Sequence, residues 1–367
     1  MNYIITGNTY NSKYLEHPDA GIKVLSGTEL ESANIRFSAH DKVYVPSETS
    51  LSTVLQCLDD PVGVAGISRL KDKYLCREAL QALYPDFYFS KCSLEEIPGL
   101  QLDKKIVIKP LKGFFGTGVR FADSSTDLTL LAAEIRKEVT ANSRFFPESI
   151  LTRNDFILEE FIAGEEYAVD MFFDALGKPD IMNIYHHPEP DIPEYAHLMY
   201  YSNKELFDKY LAVFTDFFTD FGNGLKLKNF PIHAEFKLQG ERFVPIEFNP
   251  MRYGGFGLAD LTYLSYGMQP IAAYFVDQPA DWSKIWSSRA SANYAFILAY
   301  NGKNADLSVM QPLHEAFQSY LREHAEIMDY VRLDHLHNPV FAIAYIKTED
   351  LDSLKKLLKT EFNAFFA

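Results

Sequence analysis

Two short segments carry acidic and amide side chains whose spacing would bring them onto one surface. In residues 233–237 (His-Ala-Glu-Phe-Lys), His233, Glu235 and Lys237 project from one face of an extended strand, because side chains alternate along a strand. Glu247 and Asn249 alternate in the same way within residues 246–250. If the two segments pair as a hairpin, two carboxylates and one amide converge on one patch. Oxygen ligands of this kind suit Mg²⁺ held together with nucleotide phosphates.

The alternative for this pair of segments is a solvated polar face of a sheet. Phe236, Ile246 and Phe248 lie between the polar residues and would make the opposite face apolar. The sheet is therefore predicted to have one side in the core and one side free for chemistry.

A second segment, residues 109–119, has a lysine followed by three glycines. Gly113, Gly116 and Gly118 let the backbone approach a phosphate closely, because no Cβ intervenes. Lys109, at the end of the preceding strand, can reach such phosphates as a point charge. The segment is not a Walker A loop, since G-x-x-x-x-G-K-[ST] is absent, and it lacks the third glycine of a dinucleotide fingerprint. By itself it is equally consistent with a glycine-rich hairpin tip.

A third segment, residues 158–166, places acidic residues in an otherwise apolar, extended stretch. Burying such residues costs free energy unless they are paired. A strand that runs into a linker can offer backbone amides to a base edge and a carboxylate to ribose hydroxyls. An exposed polar strand end is the alternative.

In their order along the chain, residues 109–119, 158–166 and 233–250 resemble the ATP-grasp superfamily, which includes biotin carboxylase, carbamoyl-phosphate synthetase, D-alanine–D-alanine ligase and the L-amino-acid ligases. The resemblance runs from about Lys71 to about Gly267 and rests on the order and spacing of the segments. It implies an ADP-forming carboxylate–amine ligase that uses ATP with Mg²⁺ or Mn²⁺. The fold that it implies is α/β, with a small α/β domain before the ATP-grasp lobes and a compact α+β subdomain after them.

The resemblance also implies a set of nucleotide contacts. Two lysines would hold phosphates beneath a glycine lid, the 159–162 stretch would be the adenine-binding linker, and the glutamate seven residues after Glu159 would bind ribose. The residues are Lys73, Lys109, Gly113, Gly116, Gly118, Glu159, Glu160, Phe161, Ile162 and Glu166.

Glu235, Glu247 and Asn249 match the metal ligands of the resemblance, within a segment similar to its E-x-N-P signature. Arg252 lies near the arginine that grips the transferred phosphate, and with Lys109 it is the implied catalytic residue. Arg252 follows Asn249 by three residues where two is commoner, which leaves its role open.

The glycine-rich loop departs from the family pattern as well. It has Phe114 and Phe115 at its tip and Gly116 where a serine is frequent, so a hydroxyl contact to phosphate is lost.

The implied reaction is phosphorylation of a small carboxylate, such as an amino acid, to an acyl phosphate that an amine then attacks. Alternatives are a carrier-protein thiol or bicarbonate as acceptor, or a nucleotide-binding regulatory protein without turnover. His233 is interpreted either as a contact of the intermediate or as a structural histidine. His186, His187 and His197 are interpreted as part of a loop that covers the substrate pocket, together with Tyr200 and Tyr201, rather than as a metal cluster.

The elements that must position these residues follow from hydrophobic periodicity and from turn residues. Predicted strands cover residues 3–6, 42–45, 62–66, 105–110, 156–162, 167–173, 232–238, 243–248, 294–299, 327–332 and 340–346. Predicted helices cover residues 50–58, 72–83, 128–139, 204–221, 309–322 and 350–360.

These elements divide the chain into four predicted segments. Residues 1–70 form the N-terminal α/β domain, 71–156 the small lobe with the phosphate loop, 157–284 the large lobe with linker and metal site, and 285–367 the C-terminal α+β subdomain. The last segment carries no chemical motif and is interpreted as structural or as forming a homodimer.

Composition sets the limits of this interpretation. With 367 residues, 47% hydrophobic and 23% charged, the chain has the profile of a folded globular protein. A net charge of −15 disfavours nucleic acid and anionic membranes as partners, and leaves small molecules as the expected ones. Three cysteines without C-x-x-C spacing, and no apolar run or signal-peptide pattern, predict a soluble cytoplasmic protein.

Overall fold

A computed structural model describes residues 1–7, 12–16, 18–19, 21–113, 116–142, 151–289 and 291–367. Its strands are β1 Asn2–Thr6, β2 Ile22–Ser26, β3 Lys42–Tyr44, β4 Phe89–Ser93, β5 Ile106–Pro110, β6 Arg120–Ala122, β7 Asp155–Glu160, β8 Glu165–Phe173, β9 Pro179–His187, β10 Met199–Ser202, β11 Phe230–Gln239, β12 Arg242–Pro250, β13 Asn293–Tyr300, β14 Glu326–Arg332 and β15 Val340–Thr348. Its helices are α1 Gly27–Ala33, α2 Leu51–Cys57, α3 Pro61–Lys71, α4 Lys73–Leu80, α5 Leu128–Asn142, α6 Lys204–Leu225, α7 Asp260–Tyr266, α8 Pro270–Phe275, α9 Trp282–Ser287, α10 His314–Arg322 and α11 Leu351–Leu357.

Three sheets organise the described residues. A parallel sheet of order β2-β1-β3 lies in the N-terminal unit. An antiparallel sheet of order β4-β7-β5-β6 forms the small lobe. An antiparallel sheet of order β12-β11-β8-β9-β10-β13-β15-β14 forms the large lobe and continues into the C-terminal segment. This mixture of helices and sheets confirms the predicted α/β class.

The strand predicted at residues 62–66 is wrong, because these residues form part of helix α3. Asp60 caps the helix by accepting a hydrogen bond from the backbone N of Val62, and Pro61 occupies the first turn, where its missing N–H costs nothing. A Cβ on Gly66 would lie 2.6 Å from Leu227, so glycine here permits close packing onto the large lobe. The two valines suggested a strand, but the cap and the proline signal a helix start.

Helix α6 covers the large-lobe sheet and explains much of the aromatic content of the chain. It begins after Asn203, whose side chain accepts from the backbone N of Leu206, and ends at Lys226 with a φ of 56°. The ring of Phe214 on its buried face packs 5.0 Å from Phe236 and 4.5 Å from Phe243, measured between centroids. One face of the β11–β12 hairpin is therefore in the core, as the apolar spacing predicts.

The C-terminal segment shares its main sheet with the large lobe. β10 pairs antiparallel with β13, and β13 with β15, so the strands beyond residue 285 extend the sheet that carries the polar hairpin. The helix predicted from residue 309 begins at His314. His186 and His187, expected in a loop, end strand β9, and Tyr200 and Tyr201 lie in β10 beside them.

No helix among the described residues is long and apolar enough to span a membrane.

Candidate functional site

The β11–β12 hairpin carries the polar cluster, and its register decides which side chains face each other. Glu235 lies opposite Glu247, and His233 lies opposite Asn249. Ile246 is an extra residue in β12, where the register shifts beside Glu235. Like charges placed directly opposite on two strands repel, so this face needs a compensating cation.

The structure thus brings together the three predicted metal ligands, Glu235, Glu247 and Asn249. The described ranges contain no group of three His, Cys, Asp or Glu side chains arranged to hold a metal ion, and on the hairpin the third oxygen ligand would be the amide of Asn249. Two carboxylates and an amide form a hard-oxygen donor set that fits Mg²⁺ or Mn²⁺, with the remaining positions left for phosphate or water.

Two cationic side chains lie beside these carboxylates. Nζ of Lys73, the first residue of α4, is 3.8 Å from Oε1 of Glu247. Nε2 of His233 is 3.4 Å from Oε1 of Glu235. Burial acts to raise the pKa of Glu235, but the hydrogen bond and positive charge of His233 outweigh it, and the pKa is lowered. Glu235 is therefore ionised, as a metal ligand must be.

Asp170, on β8, anchors His233 from the other side and was not predicted from the sequence. The Asp170 side chain is completely buried. It lies 2.8 Å from Nδ1 of His233 and accepts hydrogen bonds of 2.8 Å from the Tyr185 hydroxyl and 2.8 Å from the Gly254 backbone N. Burial disfavours the charged imidazole, but Asp170 and Glu235 raise the pKa of His233 to about 9. A single acid inside the apolar run of β8 was the signal in the sequence.

Lys109, the second predicted phosphate lysine, is held by Glu159. The Lys109 Nζ lies 2.7 Å from Oε2 of Glu159, whose other oxygen bonds the guanidinium of Arg77. Arg77 also donates from Nη1 to the carbonyl oxygen of Pro245, 2.7 Å away on β12. Burial acts to raise the pKa of Glu159, and the two cations outweigh it and lower the pKa to about 2.

The stretch predicted to bind adenine, residues 159–162, lies partly in strand β7 and partly in the linker that follows it. Glu159 and Glu160 are the last residues of β7, and the Glu159 side chain points into the buried ion pairs. Phe161 and Ile162 begin the link of residues 161–164 between β7 and β8. The Phe161 ring lies under Nζ of Lys105 at 3.9 Å from its centroid. The Glu159 carboxylate is therefore engaged within the protein, and the Phe161 backbone N donates to the carbonyl oxygen of Lys105, 3.1 Å away.

Glu166, the predicted ribose ligand, contacts a histidine and a lysine. It lies 2.7 Å from Nδ1 of His187 and 3.1 Å from Nζ of Lys237. Burial raises its pKa, but His187 and Lys237 together lower it to about 2. The Nε2 atom of His187 is 2.9 Å from the carbonyl oxygen of Ala196, which only accepts, so this nitrogen carries a hydrogen.

The stretch predicted to cover the pocket stacks against this pair. The His187 ring stacks on Tyr200 at 4.0 Å between centroids. It also stacks with His197, at 5.6 Å between the centroids of the two histidine rings. His186 instead contacts the Tyr201 hydroxyl at 2.8 Å. Of this stretch, His197 and Tyr200 reach the cavity described below.

Arg252 is positioned by the N-terminal unit, through a contact that the sequence did not indicate. Its Nη2 lies 3.0 Å from Oε1 of Glu48, and Nζ of Lys71 lies 2.7 Å from the other carboxylate oxygen. Burial acts to raise the pKa of Glu48, and the two cations lower it to about 2. Met251, just before Arg252, has a φ of 65°, a left-handed conformation that turns the chain sharply after β12.

The glycine-rich loop runs from β5 to β6. Gly116 and Gly118 have φ values of 67° and 71°, which a residue with a Cβ adopts only at a cost. Gly113 is not among the glycines with a positive φ. The backbone N of Lys73 donates to the carbonyl oxygen of Leu111, 2.9 Å away, which ties the start of α4 to the segment that follows Lys109. The predicted tip, Phe114 and Phe115, lies outside the described residues.

A cavity of 230 Å³ lies on the polar face of the hairpin, and Lys73, Lys109, Glu159 and Glu166 are not among the residues that line it. Its lining comes from the N-terminal loop, the glycine-rich loop, the hairpin, the chain that follows it and strand β13. The ionisable and amide side chains in the lining are Glu48, His197, Tyr200, His233, Glu235, Glu247, Asn249 and Arg252. Phe296 and Leu298 of β13 also line it, so the C-terminal segment contributes to the site, which no motif in it had indicated.

Comparison with known proteins agrees with this geometry. Residues 102–260 match the family model described as an ATP-grasp domain. No curated protein sequence matches the chain.

Among solved structures, the chain is similar to an L-amino acid ligase from Bacillus licheniformis, with 15% identity, a TM-score of 0.65, and 100% of this chain and 98% of that chain covered. It is also similar to an N5-carboxyaminoimidazole synthetase from Staphylococcus aureus complexed with ADP, with 11% identity, a TM-score of 0.63, and coverage of 97% and 95%. A phosphoribosylglycinamide synthetase from Anaerococcus prevotii has 14% identity, a TM-score of 0.56, and coverage of 100% and 98%. The chain has the ATP-grasp fold, and the resemblance found in its sequence is confirmed.

Proposed function

We propose that this chain, which contains an ATP-grasp domain within an ATP-grasp fold, is an ATP-dependent ligase that activates a small carboxylate as an acyl phosphate and joins it to an amine. The observation that supports this best is the hairpin face. There Glu235, Glu247 and Asn249 share one cavity with Arg252, and Lys73 lies beside Glu247.

Phosphate binding would fall to the two lysines and the loop. Lys73 and Lys109 would neutralise the α- and β-phosphates, and the Gly113–Gly118 loop would close over the triphosphate. Each lysine is held by a carboxylate in the structure, Lys73 by Glu247 and Lys109 by Glu159, so its charge is already in place. Such positioning and charge neutralisation supply most of the catalysis in phosphoryl transfer.

Glu235, Glu247 and Asn249 would hold Mg²⁺ or Mn²⁺, which supplies positive charge against the β- and γ-phosphates. Lys73 and His233 already offset part of the repulsion between the two carboxylates that face each other across the hairpin, and a divalent cation would offset more of it.

In the first step, a carboxylate oxygen of the substrate attacks the γ-phosphorus, and the bond to the β–γ bridging oxygen breaks, so ADP leaves with that electron pair. Arg252 would stabilise the negative charge on the transferred group. In the second step, the amine nitrogen attacks the acyl carbon, phosphate leaves, and the amine loses a proton. The solved structure named as an L-amino acid ligase favours amino acids as the first acids to test.

The decisive experiment measures ADP and phosphate release from Mg-ATP across a panel of amino acids and small carboxylic acids. We expect one class of acid to stimulate release in the wild type. Glu247→Gln should abolish it, because one of the two facing carboxylates is lost. Glu241→Gln is the matched control, since Glu241 is an exposed residue in the turn of the same hairpin.

Calorimetric titration of Mg-ATP separates the remaining cases. Tight binding without acid-stimulated release would favour a carrier-protein acceptor or a regulatory role. Absence of Mg-ATP binding to the wild type would overturn the proposed function.

A further inference from the structure

One wall of the cavity is apolar and is built from two distant parts of the chain. Phe256 and Leu258 come from the segment after β12, and Phe296 and Leu298 come from β13. Phe296 and Leu298 face the same side of the sheet because they alternate along the strand, and both belong to the core cluster of the large lobe. Ile297, between them, belongs to the core cluster on the other side.

The rest of the same cavity is polar. Glu235, Glu247 and Asn249 line it together with Arg252 and His233. A molecule that fills the whole cavity therefore meets charged groups on the hairpin side and the four apolar residues on the wall, where Tyr200 of the neighbouring strand β10 also lines the cavity.

The apolar wall is held in place against local backbone preference. Phe256 has a φ of 52°, which is uncommon for a bulky residue and is found where the surroundings impose it. The backbone N of Leu258 donates to Gly255, and the Tyr345 hydroxyl of β15 donates to the carbonyl oxygen of Gly257, 2.8 Å away. Backbone strain of this kind clusters at binding sites.

The cavity size limits what this wall contacts. At 230 Å³ it is smaller than the roughly 300–1,000 Å³ of sites for drug-sized ligands. An apolar cavity of about 150 Å³ holds benzene. There is room for a carboxylate at the polar end and one side chain of at most about the size of a phenyl ring at the other.

We infer that the acid activated by this protein carries an apolar side chain, and that Phe256, Leu258, Phe296 and Leu298 form the subsite that selects it. That the acid is activated rests on the proposed function, whereas binding of the acid in the subsite can be measured independently of any reaction. The carboxylate would lie towards Arg252, and the side chain would lie against β13. The four wall residues offer no partner to a charged or hydrogen-bonding side chain, which would lose its water against them, so such side chains are disfavoured on this wall.

Binding can be measured without turnover, in the presence of Mg²⁺ and a non-hydrolysable ATP analogue. Alanine, 2-aminobutyrate and norvaline differ by one methylene each, and affinity by calorimetry is expected to rise about fourfold per methylene that reaches the wall. Leucine is expected to bind at least about tenfold more tightly than asparagine, which has a similar shape and a polar amide.

Two substitutions at Leu298 should shift this preference in opposite directions. Leu298→Ala enlarges the apolar end and should favour phenylalanine over norvaline relative to the wild type. Leu298→Phe fills it and should favour alanine over norvaline. Ile297→Ala, on the same strand but facing the other core, is the matched control and should leave the order of preference unchanged. Affinity for the ATP analogue in each variant shows that the fold is retained.

The outcomes separate the subsite from the reaction. Tighter binding of apolar acids with the reciprocal Leu298 shifts, but no ADP release, would support the subsite and overturn the proposed function. ADP release stimulated only by charged or polar acids would leave the ligase standing and overturn the subsite. Leu298 variants with unchanged preference, or no binding of any apolar acid, would also overturn it.

Discussion

At the scale of single residues, the ion pairs of Glu159 tie strand β5 of the small lobe to the polar hairpin. Its carboxylate meets Lys109 on β5 and Arg77 on α4, and Arg77 reaches the backbone of β12. Glu159 is 2% exposed, so if its carboxylate were removed, little water could reach Lys109 and Arg77 to take its place. Breaking a buried pair leaves an uncompensated charge, which costs more than the pair contributes.

We therefore expect Glu159→Gln to lower the free energy of unfolding by about 3 kcal/mol, measured by chemical denaturation at neutral pH. Glu160→Gln is the neighbouring control. Glu160 lies 3.5 Å from Lys104 on the surface, and removing its charge should change stability by less than about 0.5 kcal/mol. Equal effects of the two substitutions would contradict the assignment of Glu159 to the buried network.

Glu48 gives a prediction for the dependence of stability on pH. Its folded pKa of about 2 lies below the ordinary 4.5, so the ionised form stabilises the fold fully above about pH 5, and this contribution is lost as pH falls towards 2. The loss should amount to roughly 3 kcal/mol of unfolding free energy. Glu48→Gln should lack this pH-dependent contribution. Its free energy of unfolding should be lower than that of the wild type at pH 7, and the two values should become equal near pH 2.

An exposed ion pair provides the control for this pH effect. Glu315 pairs with Arg332 at 2.7 Å, but its side chain is 79% exposed. Glu315→Gln should leave the acid limb of the stability curve within about 0.5 kcal/mol of the wild type. If Glu48→Gln loses as much stability in acid as the wild type does, Lys71 and Arg252 do not hold Glu48 as described.

At the scale of elements, the linker between β7 and β8 depends on a close backbone approach. Gly164 has a φ of 138°, and a Cβ there would lie 2.0 Å from the carbonyl oxygen of Leu238 on β11. No side chain fits without moving the linker or the strand. The linker predicted to meet the base is therefore fixed by contact with the hairpin that carries the predicted metal ligands.

Gly164→Ala should lower the free energy of unfolding by about 3 kcal/mol or more, because backbone strain and a backbone clash add. Gly240→Ala is the matched control in the hairpin turn, where φ is 64° but no atom lies within 4 Å of the added Cβ. Only the cost of the left-handed conformation remains there, about 1 kcal/mol. Similar losses at both positions in denaturation experiments would refute the close approach.

At the scale of the whole molecule, one eight-stranded sheet runs from the polar hairpin to the C-terminal strands. β13 pairs with β10 on one side and β15 on the other, and it also supplies the apolar wall of the cavity. The division of the chain into four segments stays a prediction, but the last two segments share a sheet and a core.

Backbone hydrogen exchange tests this continuity. Amides of β13 and β15 should exchange as slowly as those of β8 and β9, because all four strands are internal to one sheet and open together. Faster, separately cooperative exchange of β13 and β15 would mean that the C-terminal segment opens as an independent unit, and that the cavity loses a wall without global unfolding.

Much of the site could be predicted from local order along the chain. The alternation of residues 233–237 and 247–249 and the glycines after Lys109 each depend on neighbours only a few residues away. Such short-range patterns fix strand faces and turns, because backbone geometry sets the direction of each side chain. They predicted the hairpin and the polar face that the structure contains.

Tertiary packing alone decided which distant groups meet those residues. Glu48 and Arg252 are 204 positions apart, and Asp170 and His233 are 63 apart, yet each pair is in contact. The apolar wall from β13 follows from strand order in the sheet, which no local pattern specifies. Sequence determined the chemistry that the hairpin can offer, while the ion-pair partners and the cavity shape arose only when the strands packed, because contacts across such separations depend on the whole fold.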